Sequence, residues 1–246
     1  MLRAVFFDAA GTLFHTREPA GLSYAKIARR FGVEADERLV IDSFKRSFGT
    51  APGLAFGPGH EAAKLRRLER EWWRELVRAT FANIGHFAEF EAYFDALFAF
   101  FADPANWIRD PAAEPMLARL RENGLTLGVI SNFDHRIYRI LETLELSRYF
   151  DSITISSETG YAKPSSEIFR AALGRHSLSA ADAVHVGDSE SLDLAGASAA
   201  GLAAVLVDAD ASQPPTGQEP SLSGGRCVRV RSLGEVAAAI ERLESR

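Results

Sequence analysis

Short apolar runs rich in β-branched residues recur along the chain, and each ends abruptly at small or polar residues. Leu2–Phe7 runs into Asp8, and Leu125–Ile130 runs into Ser131 and Asn132. Asp151–Ile155, Ala183–Val186 and Ala203–Val207 look like a third, fourth and fifth strand. Runs this short and this continuously apolar read as strands buried on both faces. Helical spacing fills the gaps at Glu114–Asn123, His135–Leu144, Ser166–Gly174 and Leu192–Ala200, and Gly124 and Gly201 stand where helices stop. Such alternation specifies an α/β fold, a parallel sheet covered on both faces. In that architecture the functional site lies beyond the carboxyl ends of the strands.

One long segment breaks the rhythm. Between the first and second strands the chain reads as almost wholly helical, at Leu22–Phe31, Glu37–Phe48, Glu61–Ile84 and Ala88–Phe101, with a Gly/Pro-containing break at Gly49–Gly59. The expected organisation is a core of residues 1–15 plus 109–246 and an inserted helical cap of residues 16–108. Aromatic residues of the insertion, Trp73, Phe81, Phe87, Phe90, Phe94 and Phe98 among them, fall at the spacings that helix packing requires. Trp72 and Trp73 are adjacent and cannot both face one core, so one of them is expected at the cleft or against a partner subunit. Ala209–Gly225, rich in Ser, Pro, Gly and Gln, reads as a flexible surface loop.

Bulk properties narrow the function classes. The formal net charge is −5 and the basic residues are dispersed, which argues against a nucleic-acid partner. A single cysteine, Cys227, forbids an intrachain disulfide and reads as a small hydrophobe in a late strand. The N-terminal apolar run is too short for a signal peptide or a membrane span, so a cytoplasmic protein without a membrane partner is expected, monomer or homodimer.

The chemistry-bearing residues cluster where the strands end. Asp8 closes the first strand, with Gly11 and Thr12 in the next turn; Ser131 and Asn132 close the second; Lys163 precedes a helix; Asp188 closes a later strand, with Asp193 five residues beyond. This set fits phosphoryl transfer. A carboxylate can attack phosphorus directly and split one hard step into two. Two anions need a divalent cation to meet, and Asp8, Asp188 and Asp193 offer hard oxygen donors for Mg²⁺. The turn amides after Asp8, the Thr12 and Ser131 hydroxyls and the Lys163 ammonium can neutralise phosphoryl oxygens.

In order and context, Asp8-Ala9-Ala10-Gly11-Thr12-Leu13, Ile130-Ser131-Asn132, Ala162-Lys163-Pro164 and Gly187-Asp188-Ser189 with Asp193 resemble the four signature motifs of the haloacid dehalogenase (HAD) superfamily, subfamily IA. The helical insertion resembles that family's type 1 cap. The segments Ser131–Asp134 and Glu158–Pro164 are most similar to the haloacid dehalogenase-like hydrolase domain-containing 3 group. The resemblance implies a Rossmann-like core and Asp8 as the nucleophile. It implies Mg²⁺ held by Asp8, Asp188 and the backbone carbonyl of Ala10, with Asp193 completing the metal environment. Ser131 and Lys163 would hold the phosphoryl group of a small phosphorylated metabolite, with Gly11, Asn132 and His15 near the substrate.

Ala10 departs from the family pattern, which has an aspartate there that protonates the leaving group. General acid–base help is worth ~10²–10⁴-fold, so such a site is expected to favour good leaving groups such as aryl or acyl phosphates. His15, with Glu18 close by, is the candidate substitute acid. Alanine at this position also resembles phosphonoacetaldehyde hydrolase, which uses a cap lysine, here Lys26, Lys45 or Lys64. A non-catalytic phosphate-ligand or partner-binding protein is the third reading.

Overall fold

The computed structural model describes residues 1–208 and 226–244, so the loop expected at Ala209–Gly225 lies outside the described residues. Its centre is a parallel sheet of six strands in the order β5-β4-β1-β6-β7-β8. These are β1 (Ala4–Phe7), β4 (Thr126–Ser131), β5 (Ser152–Ile155), β6 (Ala183–Gly187), β7 (Ala203–Val207) and β8 (Cys227–Val230). Every pairing is parallel, and β1 lies between β4 and β6 with Phe7 opposite both Val129 and Val186. The chain therefore leaves β1 for one side and later returns on the other, which opens a crevice at the carboxyl end of β1. Cys227 is buried in β8 as the sequence anticipated.

The period of two along each strand decides which helices cover which face. Val5 and Phe7 of β1 join the core formed with α5 (Ala113–Glu122), α6 (Arg136–Thr143) and α10 (Val236–Glu244). Ala4 and Phe6 point the other way, into the core formed with α8 (Ser166–Arg175) and α9 (Ala195–Ala199). A single turn of helix, α7 (Ser156–Thr159), follows β5. All four β1 side chains are buried, which is why that strand carries no polar residue until Asp8.

The insertion consists of α1 (Ala20–Arg29), α2 (Glu37–Thr50), α3 (Ala62–Phe81) and α4 (Phe90–Ala102). It has its own core, with Tyr24, Val40, Val77, Phe81, Tyr93 and Phe94 at its centre. Asp36 starts α2 by accepting the Leu39 N–H at 2.9 Å, an N-cap that satisfies one free amide of the first turn. Entry and exit run through a small antiparallel ribbon, β2 (Phe14–Thr16) and β3 (Trp107–Arg109), with His15 opposite Ile108. Sequence patterning did not anticipate this ribbon, because strands of three residues carry too little periodicity to register. Among the described residues no helix is long and apolar enough to cross a membrane.

Candidate active site

Two adjacent strands, β1 and β6, deliver the acidic residues to one place. Asp8 follows β1, and its N–H is anchored on the Val186 carbonyl at 2.8 Å. The chain then turns through Gly11, whose φ is +99°. A Cβ there would stand 2.7 Å from Asp188 Oδ2, so only glycine lets the turn come this close to the carboxyl after β6. Thr12 donates its hydroxyl to Asp188 Oδ1 at 3.2 Å. It steadies a carboxylate, a use the sequence did not reveal.

Lys163 ties the cluster together. Its buried ammonium lies 2.7 Å from Asp8 Oδ1 and 2.6 Å from Asp193 Oδ1. Asn132 fixes the lysine backbone at both polar groups: its Oδ1 accepts the Lys163 N–H at 2.7 Å and its Nδ2 donates to the Lys163 carbonyl at 3.0 Å. Asn132 thus joins the β4 end to the lysine segment, beyond the substrate contact expected of it. Asp193 also accepts the Ser189 N–H at 3.0 Å, and His185 Nε2 lies 2.8 Å from its other oxygen. His185 is a buried partner that sequence reasoning missed; its place inside β6 made it read as strand filler.

Electrostatics follow from this packing. The nearest carboxylate oxygens of Asp8, Asp188 and Asp193 all lie within 4.8 Å of one another. Three carboxylates against one ammonium leave two negative charges in a confined space. Burial, then the charges of Asp8 and Asp193, pushes the Asp188 carboxyl up to about 6. Burial also opposes ionisation of Asp193, but Lys163 and His185 outweigh it and hold that carboxyl well below the usual range. Burial alone would lower the Lys163 pKa, yet the two carboxylates raise it above the ordinary lysine value.

A cavity of about 310 Å³ opens over the cluster. Asp8, Ala10, Ser131, Lys163, Asp188 and Asp193 form its polar end, and Asn132 lines it too. The helical insertion supplies the opposite wall through Tyr24, Phe44, Phe48, Trp73 and Phe101. Trp73 is the tryptophan that faces the cleft, whereas Trp72 donates its indole N–H to the Pro52 carbonyl at 2.8 Å. Gly11 and Thr12 shape the floor from behind Asp188 and are not part of the lining. His15 is exposed on the ribbon, away from the lining. Its neighbour Glu18 is engaged by Lys26 and by Ser23, and the hydrogen bond from Lys26 holds its carboxyl below the ordinary range.

Contacts between the insertion and the core were the least visible in the sequence. Trp73 donates to Asp134 Oδ2 at 2.6 Å, and Asp134 is forked by Arg136 through Nε and Nη2. Burial pushes the Asp134 carboxyl up, but Arg136 more than compensates and leaves it below its ordinary value. The wholly buried Glu69 of α3 accepts from the ring and backbone N–H groups of His135. Gly160, with φ +79°, receives the backbone of Gly57 and Pro58 so closely that a Cβ would meet Gly57 at 2.1 Å. The Gly/Pro-containing break in the insertion thus rests on the segment that leads to Lys163.

Comparison with known proteins bears on the family and the fold. A family model described as haloacid dehalogenase-like hydrolase matches residues 2–201. The chain is 34% identical over 211 residues to haloacid dehalogenase-like hydrolase domain-containing protein 3 of Bos taurus, covering 84% of this chain and 82% of that protein. Among solved structures, a HAD phosphatase from Thermococcus onnurineus superposes with a TM-score of 0.64 at 22% identity, covering 97% of this chain and 98% of its own. The HAD-hydrolase YfnB of Bacillus subtilis, solved bound to magnesium, gives 0.71 at 18% identity, covering 98% of this chain and 99% of its own. The chain belongs to the haloacid dehalogenase-like hydrolase family.

Proposed function

We propose that the protein is a Mg²⁺-dependent phosphatase that transfers the phosphoryl group of a small phosphorylated metabolite to Asp8 and then to water. The observation that carries this reading is the Lys163 ammonium held between Asp8 and Asp193, with Asp188 beside them, at the polar end of the cavity. The donor set fits Mg²⁺: hard carboxylate oxygens of Asp8, Asp188 and Asp193 converge, and two negative charges lack a counter-charge. These residues, with the backbone carbonyl of Ala10, would hold the ion. When bound it would supply positive charge to the phosphoryl oxygens, so that two anions can meet. The magnesium carried by YfnB supports the assignment.

The remaining steps fall to the chain's own groups. Lys163 orients the Asp8 carboxylate and is placed to neutralise a phosphoryl oxygen, with Ser131 donating from the end of β4. Asp8 attacks phosphorus, the ester bond breaks, and water later hydrolyses the aspartyl phosphate. Ala10 lines the cavity but carries no acid, so the leaving oxygen departs without a proton from that position. Residues 16–108 act as a cap that covers the reaction and chooses the substrate.

Two other readings fare less well. The cavity lining contains one lysine, Lys163, while Lys26 pairs with Glu18 and neither Lys45 nor Lys64 reaches the lining. That leaves a Schiff-base route through the cap without its nucleophile. Ala10 favours a non-catalytic binder, whereas the intact Asp8–Lys163–Asp193 chain favours turnover. The test is release of inorganic phosphate from p-nitrophenyl phosphate. It is expected to require Mg²⁺ and to disappear in Asp8→Asn; equal turnover by that variant would refute the assignment.

A further inference from the structure

The two ends of the cavity differ in chemistry. Opposite the acidic cluster the wall is aromatic, built from Tyr24, Phe44, Phe48, Trp73, Phe101 and Trp107. Phe48 leaves 46% of its surface open although it lines the cavity, and its ring stacks on Phe44 at 5.6 Å and on Trp73 at 6.3 Å. Such a ladder of rings offers a flat apolar slot with more rings to stack on. It offers no carboxylate or amide to read the hydroxyls of a sugar.

Among the described residues Arg136 is the one cation on this wall, and it is already neutralised. Arg136 is forked onto Asp134, and its guanidinium sits 4.2 Å from the Phe98 ring centroid and 5.0 Å from that of Trp73. A second phosphate would therefore find no free positive charge there. Two neutral-ligand handles remain. Arg136 uses Nε and Nη2 on Asp134, and among the described residues Nη1 has no protein partner. Tyr24 also lines the cavity, with its hydroxyl close enough to feel the Arg136 charge. Burial raises its pKa, so it stays a neutral donor.

Ala10 supplies an independent constraint. Without a proton donor the leaving oxygen must depart as an anion. A phenol, with a pKa of about 10, tolerates this far better than an alkanol, which resembles water at about 16. The aromatic slot and the missing acid select the same kind of alcohol.

Resting on the phosphatase reading, we propose that the substrate is the monophosphate ester of a flat phenol-type hydroxyl. Its ring would stack among Phe44, Phe48 and Trp73, and an acceptor atom on its far side would take hydrogen bonds from Tyr24 and Arg136. In the reaction an Asp8 oxygen bonds to phosphorus as the bond from phosphorus to the aryl oxygen breaks. The electron pair leaves on that oxygen as a phenolate, which takes a proton from solvent. Water then attacks phosphorus, releases inorganic phosphate, gives its proton to solvent and restores the Asp8 carboxylate.

The test uses the full-length protein with Mg²⁺ and non-hydrolysable probes, phenylphosphonate against methylphosphonate, titrated by calorimetry. Phenylphosphonate is expected to bind at least about tenfold more tightly, and Phe48→Ala to reduce that ratio several-fold. Tyr24→Phe keeps the ring and is expected to weaken 4-carbamoylphenylphosphonate roughly three- to tenfold more than phenylphosphonate. Equal affinities for the aryl and methyl probes, or a ratio indifferent to Phe48→Ala, would overturn the aryl assignment; equal losses in Tyr24→Phe would overturn the acceptor handle. Turnover of p-nitrophenyl phosphate is read in parallel. Aryl preference without phosphate release would uphold the ligand class and overturn the phosphatase reading, and release without aryl preference would do the reverse. Absence of saturable binding of any probe would overturn the inference.

Discussion

The indole N–H of Trp73 donates to Asp134 Oδ2 at 2.6 Å, fastening helix α3 of the insertion to the segment just past β4. The acceptor is a buried carboxylate shared with Arg136, and the bond crosses the boundary between insertion and core beside the cavity. Hydrogen bonds to charged groups contribute about 1.5–3 kcal/mol. Trp73→Phe keeps most of the ring and removes the donor. It is expected to lower stability in urea unfolding by about that amount, and to raise KM more than it lowers kcat. Unchanged unfolding would mean that the bond is not made in solution.

Asp188 is expected to be a residue the metal-free fold would be better without. Its carboxyl titrates near 6 because burial and two neighbouring carboxylates oppose its charge. A native carboxylate raised above its unfolded value of 3.8 destabilises the fold once ionised. The penalty is absent below pH about 4, grows toward pH about 6 and is complete above it. Asp188→Asn should therefore stabilise the metal-free protein at pH 8 by on the order of 1 kcal/mol, discounted because part of the carboxyl meets water. The same variant should lose the rise in melting temperature that Mg²⁺ gives the wild type. Thermal unfolding with and without Mg²⁺ checks both halves.

Ala10 sets the third expectation. Ala10→Asp should raise turnover of an alkyl phosphate by ~10²–10⁴-fold, and turnover of p-nitrophenyl phosphate by much less. The comparison is kcat/KM for glycerol phosphate and p-nitrophenyl phosphate in both proteins. Equal gains would mean that protonation of the leaving oxygen is not what Ala10 withholds.

Much of this molecule was legible in its sequence, for identifiable reasons. The strands feeding Asp8, Ser131 and Asp188 are short, largely apolar runs, and burial on both faces leaves few alternatives. The long helices of the insertion announced themselves by spacing, within a few residues at each end. Residues 190–194 expose the limit of that method. They form a wide helical turn before α9 begins at Ala195, whereas helical spacing marked a start at Leu192. That turn places Asp193 against Lys163 and His185, an arrangement no spacing rule encodes. Thr12 and Asn132 were found at the site, but their bonds to Asp188 and to the Lys163 backbone join segments far apart in the chain. For the same reason the contacts of Glu69, Asp134 and Arg136 escaped notice, and so did the bond that Trp73 makes to Asp134. Each reads as an ordinary helix or loop residue until the insertion folds back over β4.

The central claim is that Asp8 carries the phosphoryl group between substrate and water. Acid quenching of the Mg²⁺-loaded protein during turnover of p-nitrophenyl phosphate, followed by peptide mass mapping, tests it most directly. The expected result is an acid-stable, hydroxylamine-sensitive phosphoryl group on Asp8, absent in Asp8→Asn. Steady release of phosphate with no phosphorylated protein, or with the label on another residue, would contradict it.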